Sequence, residues 1–195
     1  MQPQLLSWKE SLKKLNEDLM KFEKWLFLTT SGVLFSEKPA ELVMFREKRF
    51  GIKLDVQLER ARYLGMLWGL GFFEVYRDNR GVRAIIYNHS RVNGALKKIK
   101  NMPFFIKVGY GENLTAEQFF GKLRAKWEQS GRIPHEIAVV LGYPIKDIVG
   151  YLKMTSIEYR GTCGWKMYGN LEQSMRIKRK YDRAKEIALK FLQES

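Results

Sequence analysis

The chain has 195 residues, enough for one good core or for a core with a helical appendage. With 45% hydrophobic and 29% charged residues it is not disordered, and its longest apolar run, residues 64–73, contains three glycines and is too short to span a bilayer. Its 35 basic against 21 acidic residues give a formal charge of +14, which attracts polyanions and leaves the choice of nucleic acid, acidic protein or anionic surface open.

Taken in chain order, the first predicted element is an amphipathic helix over residues 5–27. Leu6, Leu12, Leu15, Leu19, Phe22 and Leu26 recur there at helical spacing. Thr29-Thr30-Ser31-Gly32 breaks it, and residues 36–41 read as a turn and a new helix start. A second helix is expected from Asp55, as N-cap, through Leu58, Ala61, Leu64 and Trp68. Two β-branched and aromatic runs, Phe72-Phe73-Glu74-Val75-Tyr76 and Val82-Arg83-Ala84-Ile85-Ile86-Tyr87, flank Asp78-Asn79-Arg80-Gly81 and predict a hairpin near 72–87.

A short basic helix follows over residues 90–100, with Ser90 as its cap. Thr115-x-x-Gln118 is a capping box, with Phe119, Phe120, Leu123 and Trp127 behind it and Gly131 as the stop. Pro134 and Pro144 each suit the first turn of a helix, and Gly142 suits the stop between them. A last strand is expected near 161–168. Asn170 then caps a long basic helix over about 171–193, whose buried stripe would be Leu171, Met175, Tyr181, Ala184, Ala188 and Phe191 or Leu192. The predicted class is α+β, mainly helical with a small antiparallel sheet, in a single domain.

Residues 134–152 pack two helix starts and a glycine stop into nineteen positions. Ile137, Ala138, Leu141, Gly142 and Ile148 stand at the offsets of a helix-turn-helix-like unit. Reading DNA would need polar side chains on the second helix, where the sequence offers Pro144, Ile145, Lys146, Val149 and Gly150. Lys146 alone could bond a base, and Asp147 beside it repels phosphate. A packed αα corner is therefore the stronger reading, with sequence-specific DNA recognition the weaker.

The positive charge gathers in residues 51–100, ten basic against four acidic, and in 151–195, ten against five. In the C-terminal helix Arg176, Arg179, Lys180, Arg183 and Lys190 share a face, as an anion-binding stripe or as a solvated helix surface. The catalytic inventory is thin. His135-Glu136 could form an acid–base pair, although a first-turn Glu136 is already explained by the helix dipole and His135 by a structural or capping role. Cys163 could be a reactive thiol near Lys166, or a small buried hydrophobe. Metal-ligand spacing, phosphate-binding loops and nucleophile elbows are lacking, and no cofactor is predicted. A lone cysteine and the lack of a basic leader ahead of an apolar run lead us to expect a cytoplasmic protein.

Several of these residues carry a resemblance. Pro134, His135, Glu136 and Ile137, then Leu141, Gly142, Tyr143 and Pro144, then Asp147 and Ile148, and later Gly164, Trp165, Lys166, Met167, Tyr168 and Gly169 resemble a bacterial family catalogued as domain of unknown function three-seven-nine-three. Departures from its pattern are Ile133 for Phe, Ala138 for Gly and Asn170 for Asp. A cysteine-led stretch near the family's start is reduced here to Thr29-Thr30-Ser31-Gly32. The resemblance implies no activity. It does imply gene neighbourhoods shared with flavodoxins, acidic redox proteins to which a +14 chain is complementary. The leading expectation is a non-enzymatic accessory protein for an anionic macromolecule, either a nucleic-acid backbone or an acidic protein such as a flavodoxin. The alternative is a small enzyme or cofactor-associated redox protein using His135, Glu136 and Cys163.

Overall fold

The computed structural model describes residues 3–111 and 113–194. Where one helix over residues 5–27 is expected, two stand: α1 (Pro3–Ser11) and α2 (Glu17–Thr29), separated by a 3-10 turn and an extended Leu15. The break is local chemistry, because the Asn16 side chain accepts a hydrogen bond from the Leu19 amide and caps α2. Leu6 is exposed, and Leu5 and Trp8 take the buried positions instead. Thr30 separates α2 from α3 (Ser31–Phe35), as the Thr-Thr-Ser-Gly break predicts.

The new helix expected over residues 36–41 is instead the approach to a strand, β1 (Ala40–Phe45). Local pattern could not show this, because β1 is specified by its antiparallel partner, β3 (Gly81–Tyr87), in a register that sets Ala40 opposite Tyr87. Helix α4 (Leu54–Leu67) begins one residue before Asp55, with Lys53 at the N-cap. The predicted hairpin is present as β2 (Gly71–Asp78) and β3, and the Asp78 carboxylate accepts the Arg80 amide across its turn.

The sheet order β1-β3-β2 makes β3 the centre, and its two faces serve two cores. Val82, Ala84 and Ile86 pack with α1, α2, α4 and the end of the C-terminal helix, whereas Ile85 and Tyr87 pack with the helices that follow the sheet. A strand buried on both faces reads as a nearly continuous apolar run, as residues 82–87 do.

The second layer starts with α5 (His89–Ile99), capped by Asn88 and not by Ser90. It continues through α6 (Pro103–Lys107) and α7 (Ala116–Ser130), where the Thr115/Gln118 capping box is complete and Gly131 stops the helix at φ 64°. Pro134 lies in the turn before α8 (Ile137–Val140), so it precedes the helix rather than opening it. Gly142, at φ 77°, turns the chain into α9 (Ile145–Tyr151), whose N-cap is Pro144. The single strand expected near 161–168 is a short hairpin of its own, β4 (Tyr159–Thr162) with β5 (Lys166–Tyr168). Its turn holds Gly164 in the left-handed region.

Helix α10 (Leu171–Gln193) is capped by Asn170 as expected. Its buried line is Ser174, Ala184, Ala188 and Phe191, with the Phe191 ring 5.4 Å from Phe27. Leu171 is exposed and Met175 half-buried, so the first turns of the predicted stripe are misplaced. The fold is α+β and mainly helical, with small antiparallel sheets.

Candidate functional site

The motif residues of the second layer converge on one buried carboxylate. Asp147 lies in the first turn of α9 and is 2% exposed. Its Oδ1 accepts the Lys146 ammonium at 2.7 Å and the Tyr168 amide at 2.8 Å. Its Oδ2 accepts the Trp165 indole at 2.8 Å and the Ser174 hydroxyl at 2.7 Å. Lys146 spends its other two donors on the Tyr168 carbonyl and Ser174 Oγ, at 2.6 and 2.7 Å. Burial opposes ionisation of Asp147, but Lys146, the Tyr168 amide, Ser174 and Trp165 outweigh it and hold the carboxyl below its ordinary 3.8. Four donors on two oxygens leave this carboxylate no capacity for substrate. It is a clamp joining α9, β5 and α10.

Beside the clamp lies a cleft of about 330 Å³. Its floor is apolar: Leu42 from β1, Ile137, Ala138 and Leu141 from the α8 region, and Ile148 from α9. One wall is the Trp165 indole, stacked on Tyr143 with centroids 4.8 Å apart and planes 18° from parallel. Ile133, His135, Tyr151 and Lys166 form the mouth. The Tyr151 ring contacts both polar groups there, His135 in a T-shaped pair with centroids 5.0 Å apart and the Lys166 ammonium 5.3 Å from its centroid. Neither the His135 nor the Lys166 side chain makes a hydrogen bond among the described residues.

The remaining sequence candidates are scattered. Glu136 is buried, and its carboxylate pairs with Lys126 of α7 at 2.8 Å. Lys126 also bonds the Val108 carbonyl and lies over the Tyr110 ring, so Glu136 ties α7 to α8. His135 is exposed and caps nothing. Cys163 is half-buried in the β4–β5 turn and does not line the cleft. The sequence alternative uses His135, Glu136 and Cys163 together; of these three the fold brings only His135 to the cleft. Among the described residues, no cluster of three or more His, Cys, Asp or Glu side chains could hold a metal ion.

The helix-turn-helix-like pattern is an αα corner. Ile137, Val140 and Ile148 are core residues, and Lys146, the one side chain that could reach a base edge, is consumed by the Asp147 clamp. Gly150 is pressed against the Tyr168 ring, where no side chain would fit without a shift. Gly142 is held as closely by Pro39 and by Tyr181, whose hydroxyl donates to the Gly142 carbonyl at 2.9 Å.

On α10, Arg176, Arg179, Lys180, Arg183 and Lys190 are all exposed and fall within an arc of about 100° at 3.6 residues per turn. Lys180 pairs with Glu37 at 2.6 Å. Among the described residues, the other four have no carboxylate partner.

Two site residues escaped sequence reasoning. Ser174 lies seven residues before Tyr181 and ten before Ala184, on the buried stripe, and a polar residue at such a position was the available signal. Lys146 is the other: the sequence offers it as the one side chain able to bond a base, and its neighbour Asp147, which pairs with it, was the available signal.

No curated protein and no solved structure matches the chain. The sequence model of the family described as Protein of unknown function (DUF3793) matches residues 26–195, which span the sheet, the Asp147 clamp, the cleft and α10, and the chain belongs to that family.

Proposed function

We propose that this protein is a non-enzymatic, cytoplasmic accessory protein that holds an anionic macromolecule on the outer face of α10, and that the macromolecule is an acidic protein. The observation that carries the reading is the set of exposed, unpaired cations Arg176, Arg179, Arg183 and Lys190 on one helix face, among the described residues. Guanidinium groups held at helical intervals suit carboxylates on a facing surface. The exposed Ile187 falls inside the same arc, and an apolar residue amid cations fits a protein surface better than a phosphate backbone. Weighing against catalysis, the carboxylates of Asp147 and Glu136 are both engaged in the fold.

The test is retention of the full chain on an immobilised flavodoxin and on random-sequence duplex DNA, at low and at physiological salt. The reading expects salt-sensitive retention on the acidic protein. Stronger retention on DNA at both salts would move the assignment to nucleic acid, and retention on neither would end it.

A further inference from the structure

We propose that the cleft between the α8 region, α9 and β5 is a binding site for a small carboxylate with an aromatic or branched aliphatic body. The site is distinct from the α10 face and does not depend on it. Its volume, about 330 Å³, lies at the lower end of small-molecule sites, which run from about 300 to 1,000 Å³, and so suits a single ring or a short branched chain. Leu42, Ile137, Leu141 and Ile148 give that body an apolar floor, and the Trp165 indole gives it a flat wall fixed by the Asp147 bond and the Tyr143 stack. A wall already oriented before binding loses little freedom when the ligand arrives.

The mouth decides the head group. Lys166 supplies a cation, and His135 an imidazole, each in contact with the Tyr151 ring. The one carboxylate in the lining, Asp147, faces Lys146 and has both oxygens occupied, so it offers nothing to an ammonium ligand. An anionic head bound at the mouth gains a charge-assisted hydrogen bond from Lys166, whereas a cationic head meets a like charge.

The probe is 3-phenylpropanoate, titrated into the full chain by calorimetry beside its matched alcohol and matched amine. The acid is expected to bind at least about tenfold more tightly than the alcohol, and the amine least tightly. Lys166→Gln should abolish the acid's advantage while leaving the alcohol within about twofold. Ala138→Leu, which fills the floor, should weaken acid and alcohol together; if that variant does not fold, the Lys166→Gln comparison decides alone. Reversing Arg176, Arg179 and Arg183 to Glu should leave acid binding unchanged, which separates this site from the α10 face. The proposal is overturned by no acid binding at about 5 mM, by equal affinity for acid and alcohol, or by an acid advantage that survives Lys166→Gln.

Discussion

Replacing Asp147 by Asn keeps the shape of the side chain and removes its charge, which makes it the sharpest perturbation of the second layer. Whichever way the amide is turned, its NH2 faces two donors: Lys146 and the Tyr168 amide on one side, Trp165 and Ser174 on the other. The ammonium of Lys146, whose side chain is 17% exposed, loses its counter-ion. Removing one partner of a buried pair costs about 3–5 kcal/mol. For a chain of this length each kcal/mol lowers Tm by about 2–4 °C, so the variant should melt about 6–20 °C below wild type. Equilibrium urea unfolding followed by circular dichroism measures the difference directly. The folded carboxyl is held below its ordinary 3.8, so its contribution is complete above that value and is lost as pH falls through the folded pKa. The gap between wild type and variant should therefore be constant from about pH 5 to 8 and close below about pH 4. A loss under about 1 kcal/mol at neutral pH would refute the clamp, because a solvated surface pair contributes no more than that.

Gly142→Ala should destabilise by about 1–3 kcal/mol in the same unfolding assay, since the residue sits at φ 77° and a methyl group would meet Pro39 and Tyr181; a neutral effect would mean the αα corner is not tightly seated on α10. Burial raises the Glu41 carboxyl above its ordinary 4.5 despite the Lys38 ammonium at 2.6 Å. An acid whose pKa is raised by folding binds its proton more readily in the folded state, so wild type should gain stability relative to Glu41→Gln as pH falls from neutrality toward the ordinary 4.5. Parallel pH curves for the two proteins would show that Lys38 fully compensates the burial.

Elements fixed by neighbouring residues were legible in the sequence. The Thr115/Gln118 box, the Asn170 cap, the Gly131 and Gly142 stops and the 72–87 hairpin all stand where local chemistry places them. What long-range pairing decides was not legible. Ala40–Phe45 becomes a strand only because β3 offers it an edge, and Ser174 is buried only because Asp147 waits on another helix. Caps with near-equivalent neighbours were shifted by one or two residues, as with Asn88 over Ser90. The motif residues identified the family, but their roles split in three dimensions. Asp147, Trp165 and Tyr168 build the clamp, Glu136 ties down α7, and His135 and Lys166 are left at the mouth of the cleft.

The proposed docking of an acidic protein on the outer face of α10 is tested by the Kd for a flavodoxin of wild type against the chain with Arg176, Arg179 and Arg183 reversed to Glu. These side chains are exposed and unpaired among the described residues, so the reversal should leave Tm within about 2 °C. The reversed chain should bind at least about tenfold more weakly at low salt, with the difference shrinking as salt rises. Equal affinity of the two proteins at every salt concentration would contradict it.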